Sequence, residues 1–347
     1  MAETVSITEG ILFGMGNPLL DISANVEDEF IAKYKLESNN AILAKDEHLP
    51  IYEELVDNYK VEYLAGGATQ NTIRTVQWLS QKAGTTSYIG CVGNDENANK
   101  LRGVLEKEGT VVHYMTTNKN PTGTCAVLVN GKNRSLVANI AAANNYSIEH
   151  LQQPENWALV EKASFFYVAG FFFTVNPESI MAVAKHATEK NKVFSMNISA
   201  PFLAQFYLEP LKQAMEYADF IFANEHEYKA FAEHNGWGEG LSLAEIGLKI
   251  AALPKAGESK RHRYVIMTQS IDPVLIAHKG EVKEYPVPYL KQSLIVDSNS
   301  AGDAFVGGFL FQLIQGQDVS ECVRCGCYGA QTVLQMPGCT FPGKPSF

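Results

Sequence analysis

Residues 297–309 read Asp-Ser-Asn-Ser-Ala-Gly-Asp-Ala-Phe-Val-Gly-Gly-Phe and follow the apolar run 294–296. The run is typical of a buried strand, the polar and small residues after it of a loop, and the apolar residues from Ala304 to about Ile314 of a helix. This order places the backbone N–H groups of residues 301–303 at a helix N-terminus. Such an end binds anions, because its first N–H groups lack intrahelical acceptors and the helix dipole is positive there.

Asp303 is the carboxylate in this predicted anion site. It could be a general base for a hydroxyl group that lies beside a phosphate. It could also be an aspartate that simply caps the start of the helix, which is the commoner role at such a position. The loop alone does not decide between these roles, so the rest of the chain has to.

Composition limits the classes of function. The chain has 347 residues, 46% of them apolar, with a mean hydropathy of −0.10, which suits one large domain with a smaller appendage or lid. Its net charge of −10 argues against a nucleic-acid partner, since such proteins present basic surfaces. No run approaches the roughly 20 apolar residues of a membrane span, and the N-terminus lacks the pattern of a secretory signal. We expect a soluble protein of the cytoplasm, with a nuclear location left open and no membrane partner.

The cysteines predict free thiols. Cys322, Cys325 and Cys327 form a C-x-x-C-x-C pattern in an apparently helical segment, but no nearby His or fourth Cys completes a zinc set. Buried free thiols are the better interpretation, because free Cys packs like a small apolar side chain. A reducing compartment fits this use of cysteine.

Strand-like and helix-like segments alternate along the chain. Strands are predicted at 86–93, 164–173, 193–198, 219–223 and 264–268, and helices at 97–108 and 177–191. This alternation predicts a mostly parallel sheet with helices on both faces. Ligands of such sheets bind beyond the carboxyl ends of the strands, which is where the 297–309 loop would lie.

Two regions interrupt the alternation. Segments 125–129 and 135–139 flank Asn130-Gly131, a strong two-residue turn signal, and predict a hairpin. Residues 19–65 mix extended segments with an amphipathic stretch at 49–59. Together these regions predict a small β-rich lid.

Polar residues near the N-terminus are candidates for holding a polyol. Asn17 and Asp21 follow the first predicted strand, and a carboxylate accepts well from two neighbouring hydroxyl groups. Gly66 and Gly67 permit close backbone approach to a ligand, and Asn71 then offers both a donor and an acceptor. A capping aspartate in a turn remains the alternative for Asp21.

Three further residues are candidates for phosphate chemistry. Arg134, beside the hairpin turn, has the fork-shaped guanidinium that suits a transferring phosphoryl group, although a solvated surface arginine is the alternative. Asn224 and Glu227 follow another predicted strand and could hold a hydrated Mg²⁺. An asparagine N-cap followed by a glutamate in the first helical turn is the alternative for this pair.

In order and spacing, the chain resembles the ribokinase-like carbohydrate kinases, and within them the members that act on a nucleoside. The matching stretches are Gly16-Asn17-Pro18-Leu19-Leu20-Asp21, Gly66-Gly67-Ala68-Thr69-Gln70-Asn71, Pro121-Thr122-Gly123-Thr124, Asn133-Arg134-Ser135-Leu136, Ala141-Ala142-Ala143-Asn144, Ala169-Gly170-Phe171-Phe172, Asn224-x-x-Glu227 and Ala301-Gly302-Asp303-Ala304-Phe305.

The resemblance implies an α/β ribokinase-like fold with a mostly parallel central sheet flanked by helices and a small β-rich lid domain. The implied large domain comprises residues 1–18, 66–117 and 143–347, and the implied lid residues 19–65 and 118–142. It further implies transfer of the γ-phosphoryl group of ATP to the 5′-hydroxyl of adenosine, with Mg²⁺ as cofactor, and it allows a monovalent cation such as K⁺. A monomer is the expected state.

The resemblance also assigns roles to residues. Asp303 would be the general base, and Ala301 and Gly302 would complete the backbone anion hole beside it, with Arg134 at the phosphoryl group. The nucleoside would be held by Asn17, Leu19, Asp21, Leu43, Gly66, Gly67, Asn71, Leu136, Ala138 and Phe172. The nucleotide would contact Asn224, Thr268, Ser270 and Asn299, and the metal Asn224 and Glu227.

Three serines depart from the family pattern, among them Ser298, where the family usually has Thr. The family usually has Gly where this chain has Ser300, and more often Gly where it has Ser270. If position 300 requires a left-handed backbone, a Cβ there costs roughly 1–2 kcal/mol. A gain in turnover for Ser300→Gly would show that the serine strains the loop.

Three other functions stay open at this point. The first is a kinase for another nucleoside or a sugar such as ribose or fructose, and the second is a nucleoside-binding protein without turnover. The third is a dinucleotide-dependent oxidoreductase, which the lack of a G-x-G-x-x-G at the start of a βα unit disfavours.

Overall fold

The computed structural model describes residues 7–38, 40–131, 133–238, 240–257 and 261–347. In these ranges the strands are, in chain order, β1 (Leu12–Met15), β2 (Leu19–Asn25), β3 (Ala41–Leu43), β4 (Glu62–Gly66), β5 (Thr86–Gly93), β6 (Val111–Thr117), β7 (Thr124–Asn130), β8 (Asn133–Asn139), β9 (Phe165–Val168), β10 (Val193–Asn197), β11 (Phe220–Asn224), β12 (Tyr264–Gln269), β13 (Asp272–His278) and β14 (Glu281–Tyr285).

The α-helices alternate with these strands over much of the chain. They are α1 (Asp28–Lys33), α2 (Pro50–Asn58), α3 (Ala68–Ser80), α4 (Glu96–Glu108), α5 (Ile148–Leu151), α6 (Pro154–Lys162), α7 (Pro177–Glu189), α8 (Pro201–Phe206), α9 (Leu208–Met215), α10 (Glu225–His234), α11 (Leu243–Ala251), α12 (Ala301–Ile314) and α13 (Val319–Leu334). Short 3₁₀ turns lie at Asp46–His48, Ala141–Asn145, Gly170–Thr174 and Gln292–Leu294.

The large sheet has the strand order β14-β13-β12-β11-β10-β9-β1-β5-β6. Strands β12 to β6 in this order pair in parallel, while β13 and β14 form an antiparallel edge. Side chains alternate between two hydrophobic cores: Phe13 and Met15 lie in one core and Leu12 in the other. Helix α7 packs into the first core, whereas α3 and α12 fill the second. The predicted parallel sheet with helices on both faces is confirmed.

The small sheet has the order β3-β8-β7-β2-β4. One face packs on α1 and α2 through Phe30, Ile51 and Leu55. The predicted hairpin is present as β7 and β8, but Asn130 still pairs with Asn133. The turn therefore begins at Gly131, which has a φ of +57°, one residue later than the Asn130-Gly131 signal indicated.

The strand predicted at 294–296 is wrong. Leu294 ends a 3₁₀ turn, and Leu294, Ile295 and Val296 are 46%, 41% and 50% exposed. The backbone N–H groups of Val296 and Asp297 both donate to one carbonyl, that of Leu334 at the end of α13. A segment held in this way has no neighbouring strand with which to form a ladder, so the apolar run lies on the surface.

The strand predicted at 164–173 is too long. Strand β9 ends at Val168, and Gly170 begins a 3₁₀ turn. A Cβ at Gly170 would lie 2.4 Å from the carbonyl oxygen of Ile198, so the glycine brings the chain against the end of β10. The aromatic residues after it then turn toward the space beyond the sheet.

Two smaller predictions concern the C-terminal helices α12 and α13. Cys322, Cys325 and Cys327 are buried free thiols on α13, as predicted. Helix α12 begins at Ala301, three residues before the apolar pattern starts. Among the described residues, none of the helices is long and apolar enough to cross a membrane.

Candidate functional site

A cavity of about 300 Å³ lies between the carboxyl ends of the large sheet and the inner face of the small sheet. The connection after β1, the ends of β10, β11 and β12, and the first turn of α12 form one side, and strands β2, β3, β7 and β8 form the other. The cavity is lined by these predicted residues: Asn17, Leu19, Asp21, Leu43, Gly67, Asn71, Leu136, Ala138, Phe172, Asn224, Glu227, Thr268, Asn299, Gly302 and Asp303.

The remaining predicted residues lie outside that lining. Gly66 stands directly behind Asp21, because a Cβ there would meet the carboxylate at 2.1 Å. Ala301 supplies the first residue of α12. Ser270 is exposed in the turn between β12 and β13 with a φ of +57°, and Arg134 points to the loop before α12.

Asp303 lies in the first turn of α12, and its side chain faces α3. One carboxylate oxygen accepts a hydrogen bond of 3.1 Å from the Nδ2 of Asn71, and its backbone carbonyl accepts from the Thr72 hydroxyl at 3.1 Å. Burial raises the pKa of Asp303 to about 7, while the bond from Asn71 opposes the rise. A carboxyl group with such a pKa is suited to accept and release a proton near neutral pH.

Ser300 immediately precedes α12 and has a φ of +63° and a ψ of 4°. Position 300 thus does adopt the left-handed conformation, as its family glycine suggested. The side chain makes no capping bond to the helix. Its hydroxyl instead accepts from the Nδ2 of Asn71 at 2.9 Å, so one amide group joins Ser300 to Asp303.

Asp21 lies on β2 at the inner face of the small sheet and is 5% exposed. Burial raises its pKa to about 8, and the charges of Asp297 and Asp303 add to the effect. Gly67 begins the turn into α3 with a φ of +99°, and a Cβ there would lie 2.3 Å from the carbonyl oxygen of Asn17. Only glycine fits such a position, and the close packing sets the backbone beside the cavity.

Asn224 and Glu227 form the start of α10. The Asn224 side chain accepts from the N–H groups of His226 and Glu227, and the Glu227 carboxylate accepts from the backbone N–H of Asn224 at 3.0 Å. This is a complete capping box. Burial raises the pKa of Glu227 to about 7, the bond from the Asn224 backbone lowers it, and the charge of Asp303 raises it further.

Arg134 joins the small sheet to the loop that precedes α12. Its Nε lies 3.2 Å from the Oδ1 of Asp297, both side chains are buried, and its Nη2 donates to the carbonyl of Val296. The same Asp297 accepts from the backbone of Asn299 and Gly338. The guanidinium therefore holds the anion loop from the side of the lid.

The small-sheet side of the cavity is apolar. Leu19, Leu136 and Ala138 belong to one hydrophobic cluster on its inner face. Phe172, which is buried, lies opposite them after β9. An apolar slot of this kind accepts a planar ring, with polar groups only at one end.

Sequence reasoning missed several lining residues. Asn197 and Ser199 follow β10, the Ser199 hydroxyl donates to the Asn197 side chain, and both line the cavity. Their signal was available, since polar residues after a parallel strand point to a site. Phe202 and Ile42 also line the cavity, but nothing in their spacing distinguishes them from core residues.

The sequence and the structure of the chain were compared with those of known proteins. The model of the pfkB family of carbohydrate kinases matches residues 28–346. The chain belongs to the pfkB family of carbohydrate kinases.

Relatives within the pfkB family are named by a nucleoside acceptor. The chain is 51% identical to adenosine kinase 1 of Arabidopsis thaliana, an alignment that covers 98% of each chain. It is 43% identical to adenosine kinase of Dictyostelium discoideum over 95% of this chain and 96% of the relative. The predicted resemblance to the nucleoside-specific members is confirmed.

Solved structures of the family share the whole fold. Adenosine kinase of Anopheles gambiae, solved with P1,P4-di(adenosine-5) tetraphosphate, superposes with a TM-score of 0.94 at 49% identity, covering 98% of this chain and all of the other. Adenosine kinase of Schistosoma mansoni, solved with adenosine and AMP, gives 0.92 at 35% identity over 98% and 100%.

Proposed function

We propose that the protein transfers the γ-phosphoryl group of ATP to the 5′-hydroxyl of adenosine, giving AMP and ADP. The observation that carries this proposal is Asp303, a half-buried residue whose carboxyl group has a pKa raised to about 7, in the first turn of α12 at the polar end of an apolar cavity. The relatives named adenosine kinases supply the acceptor and, with it, ATP as donor.

Adenosine fits the two halves of the cavity. The adenine ring would lie between Phe172 and the Leu136 side of the small sheet, where burial of apolar area favours a planar base. Leu19, Leu43 and Ala138 would complete that slot.

The ribose would lie at the polar end of the cavity. Asp21 accepts from its hydroxyl groups, and the backbone at Gly66 and Gly67 allows the sugar to approach. The side-chain oxygens of Asn17 and Asn71 are buried and have no hydrogen-bond partner within the described structure. Buried acceptors of this kind favour a ligand that brings its own donors.

The transferring phosphoryl group would lie at the start of α12. The backbone N–H groups of Ala301, Gly302 and Asp303 lack intrahelical acceptors, and one fixed donor of this kind contributes roughly 3 kcal/mol to transition-state stabilisation. Arg134, which here lies outside the cavity lining and pairs with Asp297, would meet that group from the side of the lid. Because phosphoryl transfer has a loose transition state, positioning and electrostatics dominate its catalysis, and alignment of the attacking hydroxyl contributes roughly 7–11 kcal/mol in favourable cases.

Asp303 would remove the proton of the 5′-hydroxyl as the phosphoryl group arrives. The carboxylate form is the active one, and Asn71 stabilises that form by donating to it. General-base catalysis contributes about 10²–10⁴-fold. The general base therefore contributes less to the rate than alignment of the attacking hydroxyl does.

Magnesium fits the donor set of this cavity. Among the described lining residues there is no lysine or arginine, whereas Asp21, Glu227 and Asp303 are acids. The negative charge of the ATP phosphates therefore has to be balanced by a cation that binds together with the nucleotide. Mg²⁺ keeps several waters and few protein oxygens, and Glu227, with Asn224 behind it, would hold those waters. When bound, the ion neutralises phosphate charge. Thr268, Ser270 and Asn299 would contact the nucleotide.

The two sheets support the proposed arrangement of domains, of which residues 1–6, 39, 132, 239 and 258–260 lie outside the described structure. We assign residues 1–18, 66–117 and 143–347 to the catalytic domain, and residues 19–65 and 118–142 to a lid over the nucleoside. The enzyme is expected to act as a monomer. We expect it in the cytoplasm or nucleus, because these compartments are reducing and its six buried cysteines are free thiols. Dependence on a monovalent cation such as K⁺ stays a prediction.

One assay separates this proposal from its alternatives. Purified protein with Mg-ATP is offered adenosine, ribose or fructose in turn, and formation of ADP and AMP is followed by chromatography. ADP and AMP are expected with adenosine alone. ADP formation with ribose or fructose in its place would indicate a sugar kinase, and adenosine binding in calorimetry without any ADP would indicate a binding protein.

A further inference from the structure

Ser300 occupies a costly backbone position without capping the helix that follows it. Its φ of +63° lies in the left-handed region, where a side chain with a Cβ is disfavoured. A serine before a helix ordinarily offers its oxygen to the N–H groups of the first turn, but this side chain makes no such bond. Its hydroxyl is directed to α3 instead.

The Ser300 hydroxyl accepts a hydrogen bond from the side chain of Asn71. The two hydrogens of an asparagine amide allow it to donate twice, and Nδ2 of Asn71 donates to the Ser300 hydroxyl at 2.9 Å and to the Asp303 carboxylate at 3.1 Å. The amide is 3% exposed, and its oxygen has no partner among the described residues. Two acceptors on one side thus fix which end of the amide faces Asp303 and leave the oxygen at the other end free to accept from a ligand.

We infer that Ser300 is a positioning residue for catalysis, which acts through Asn71 to hold the base Asp303 and to turn the amide oxygen toward the ribose. With glycine at position 300, Asp303 alone would orient the amide. The serine therefore compensates for its strained backbone by fixing a group in the site. This inference rests on the proposed function, since it gives Asn71 a ribose hydroxyl to accept.

Two substitutions separate the hydroxyl from the backbone strain. Ser300→Ala removes the hydroxyl and keeps the Cβ, whereas Ser300→Gly removes both. We expect both variants to lose about five-fold in kcat/KM for adenosine, the factor that corresponds to one ordinary hydrogen bond. The KM for ATP should stay within two-fold of wild type, because Asn71 lies on the acceptor side of the site.

Two opposite results would overturn the inference. If the serine only strains the loop, Ser300→Gly will be at least as active as wild type and Ser300→Ala will equal wild type. If the serine instead supports the anion loop itself, the KM for ATP will rise in both variants.

A matched control and a double-mutant cycle complete the test. Lys279 also has a positive φ, of 51°, and is exposed in the turn after β13, so Lys279→Gly relieves the same strain and should leave kcat/KM unchanged. In an Asn71→Ala background, Ser300→Ala should have less than a two-fold effect on kcat/KM. A five-fold loss that persists there would contradict an action through Asn71.

Failure of the proposed function would appear differently. Wild-type protein that forms no AMP from adenosine and Mg-ATP would refute the kinase assignment whatever Ser300 does. The inference would then be decided by adenosine affinity in calorimetry without ATP, which Ser300→Ala and Ser300→Gly should each weaken about five-fold. Unchanged affinity in both variants would refute it.

Discussion

Replacing Asp303 with asparagine should slow the enzyme and stabilise the fold at the same time. Asn has nearly the shape of Asp and can still accept from Asn71, so adenosine affinity should remain within two-fold of wild type. It cannot take the proton of the 5′-hydroxyl, and loss of a general base lowers kcat by about 10²–10⁴-fold. In the wild type, kcat/KM should rise with pH through about 7 as the Asp303 carboxyl group loses its proton.

The gain in stability follows from the same pKa. Unfolded Asp303 ionises near 3.8, but the folded protein holds the proton until about pH 7. Between these values the unfolded chain binds fewer protons, so the free energy of unfolding falls as pH rises. The full difference corresponds to about 4 kcal/mol at 1.4 kcal/mol for each tenfold change. Asparagine avoids this loss, and its advantage over wild type should grow by about 3 kcal/mol between pH 5 and pH 8.

Urea unfolding at pH 5 and pH 8, alongside kcat and calorimetric adenosine affinity, tests both halves. Asp57→Asn is the matched control, because Asp57 is exposed on α2 and lies outside the cavity; neither activity nor the pH dependence of stability should change. Near-normal turnover in Asp303→Asn would refute its role as base. If the difference in the free energy of unfolding between Asp303→Asn and wild type does not grow with pH, the argument that burial disfavours the Asp303 carboxylate is refuted.

Other substitutions test the surroundings of the cavity. Glu227→Gln should lower kcat by about 10–100-fold and raise the Mg²⁺ concentration for half-maximal rate, measured by magnesium titration; an unchanged titration would exclude a role near the metal. Arg134→Gln leaves a buried carboxylate without its cation and should cost about 3–5 kcal/mol in urea unfolding, so a loss below 1 kcal/mol would contradict a buried ion pair. Gly66→Ala should crowd Asp21 and weaken adenosine binding at least about ten-fold, whereas Gly103→Ala, with open space around its Cβ, should not; equal affinities would refute the crowding.

Much of the site could be predicted because its residues lie where strand patterns end. Asn224 and Glu227 follow such a pattern, and the order of strands and helices placed them at one edge of a parallel sheet. Asp303 was located by the apolar helical run that begins beside it, although the strand predicted before it is absent. The predicted strand 86–93 coincides with β5 because its residues are buried along their whole length. Local pattern and tertiary burial agree in these segments.

The failures come from contacts between distant parts of the chain. Nothing in the run at 294–296 shows that its neighbour is the end of α13 rather than a strand. The ion pair between Arg134 and Asp297 joins the small sheet to the loop before α12, and no sequence spacing predicts it. Ser199, like Ser300, has a positive φ. The presence of a serine in the sequence does not predict such a backbone angle. Such positions are set by tertiary packing, which overrides local preference.

The pairing of β2 with β7 bears on how the protein is made. Leu20 lies opposite Thr124 in a parallel register, so about a hundred residues separate the two edges that must meet, and such non-local pairings form slowly. On a ribosome, β2 and β4 would emerge long before β7 and β8 exist to complete the small sheet. Until then, β2 has β4 beside one edge and no strand beside the other. Chaperone binding to nascent chains should therefore peak before residue 139 has left the exit tunnel.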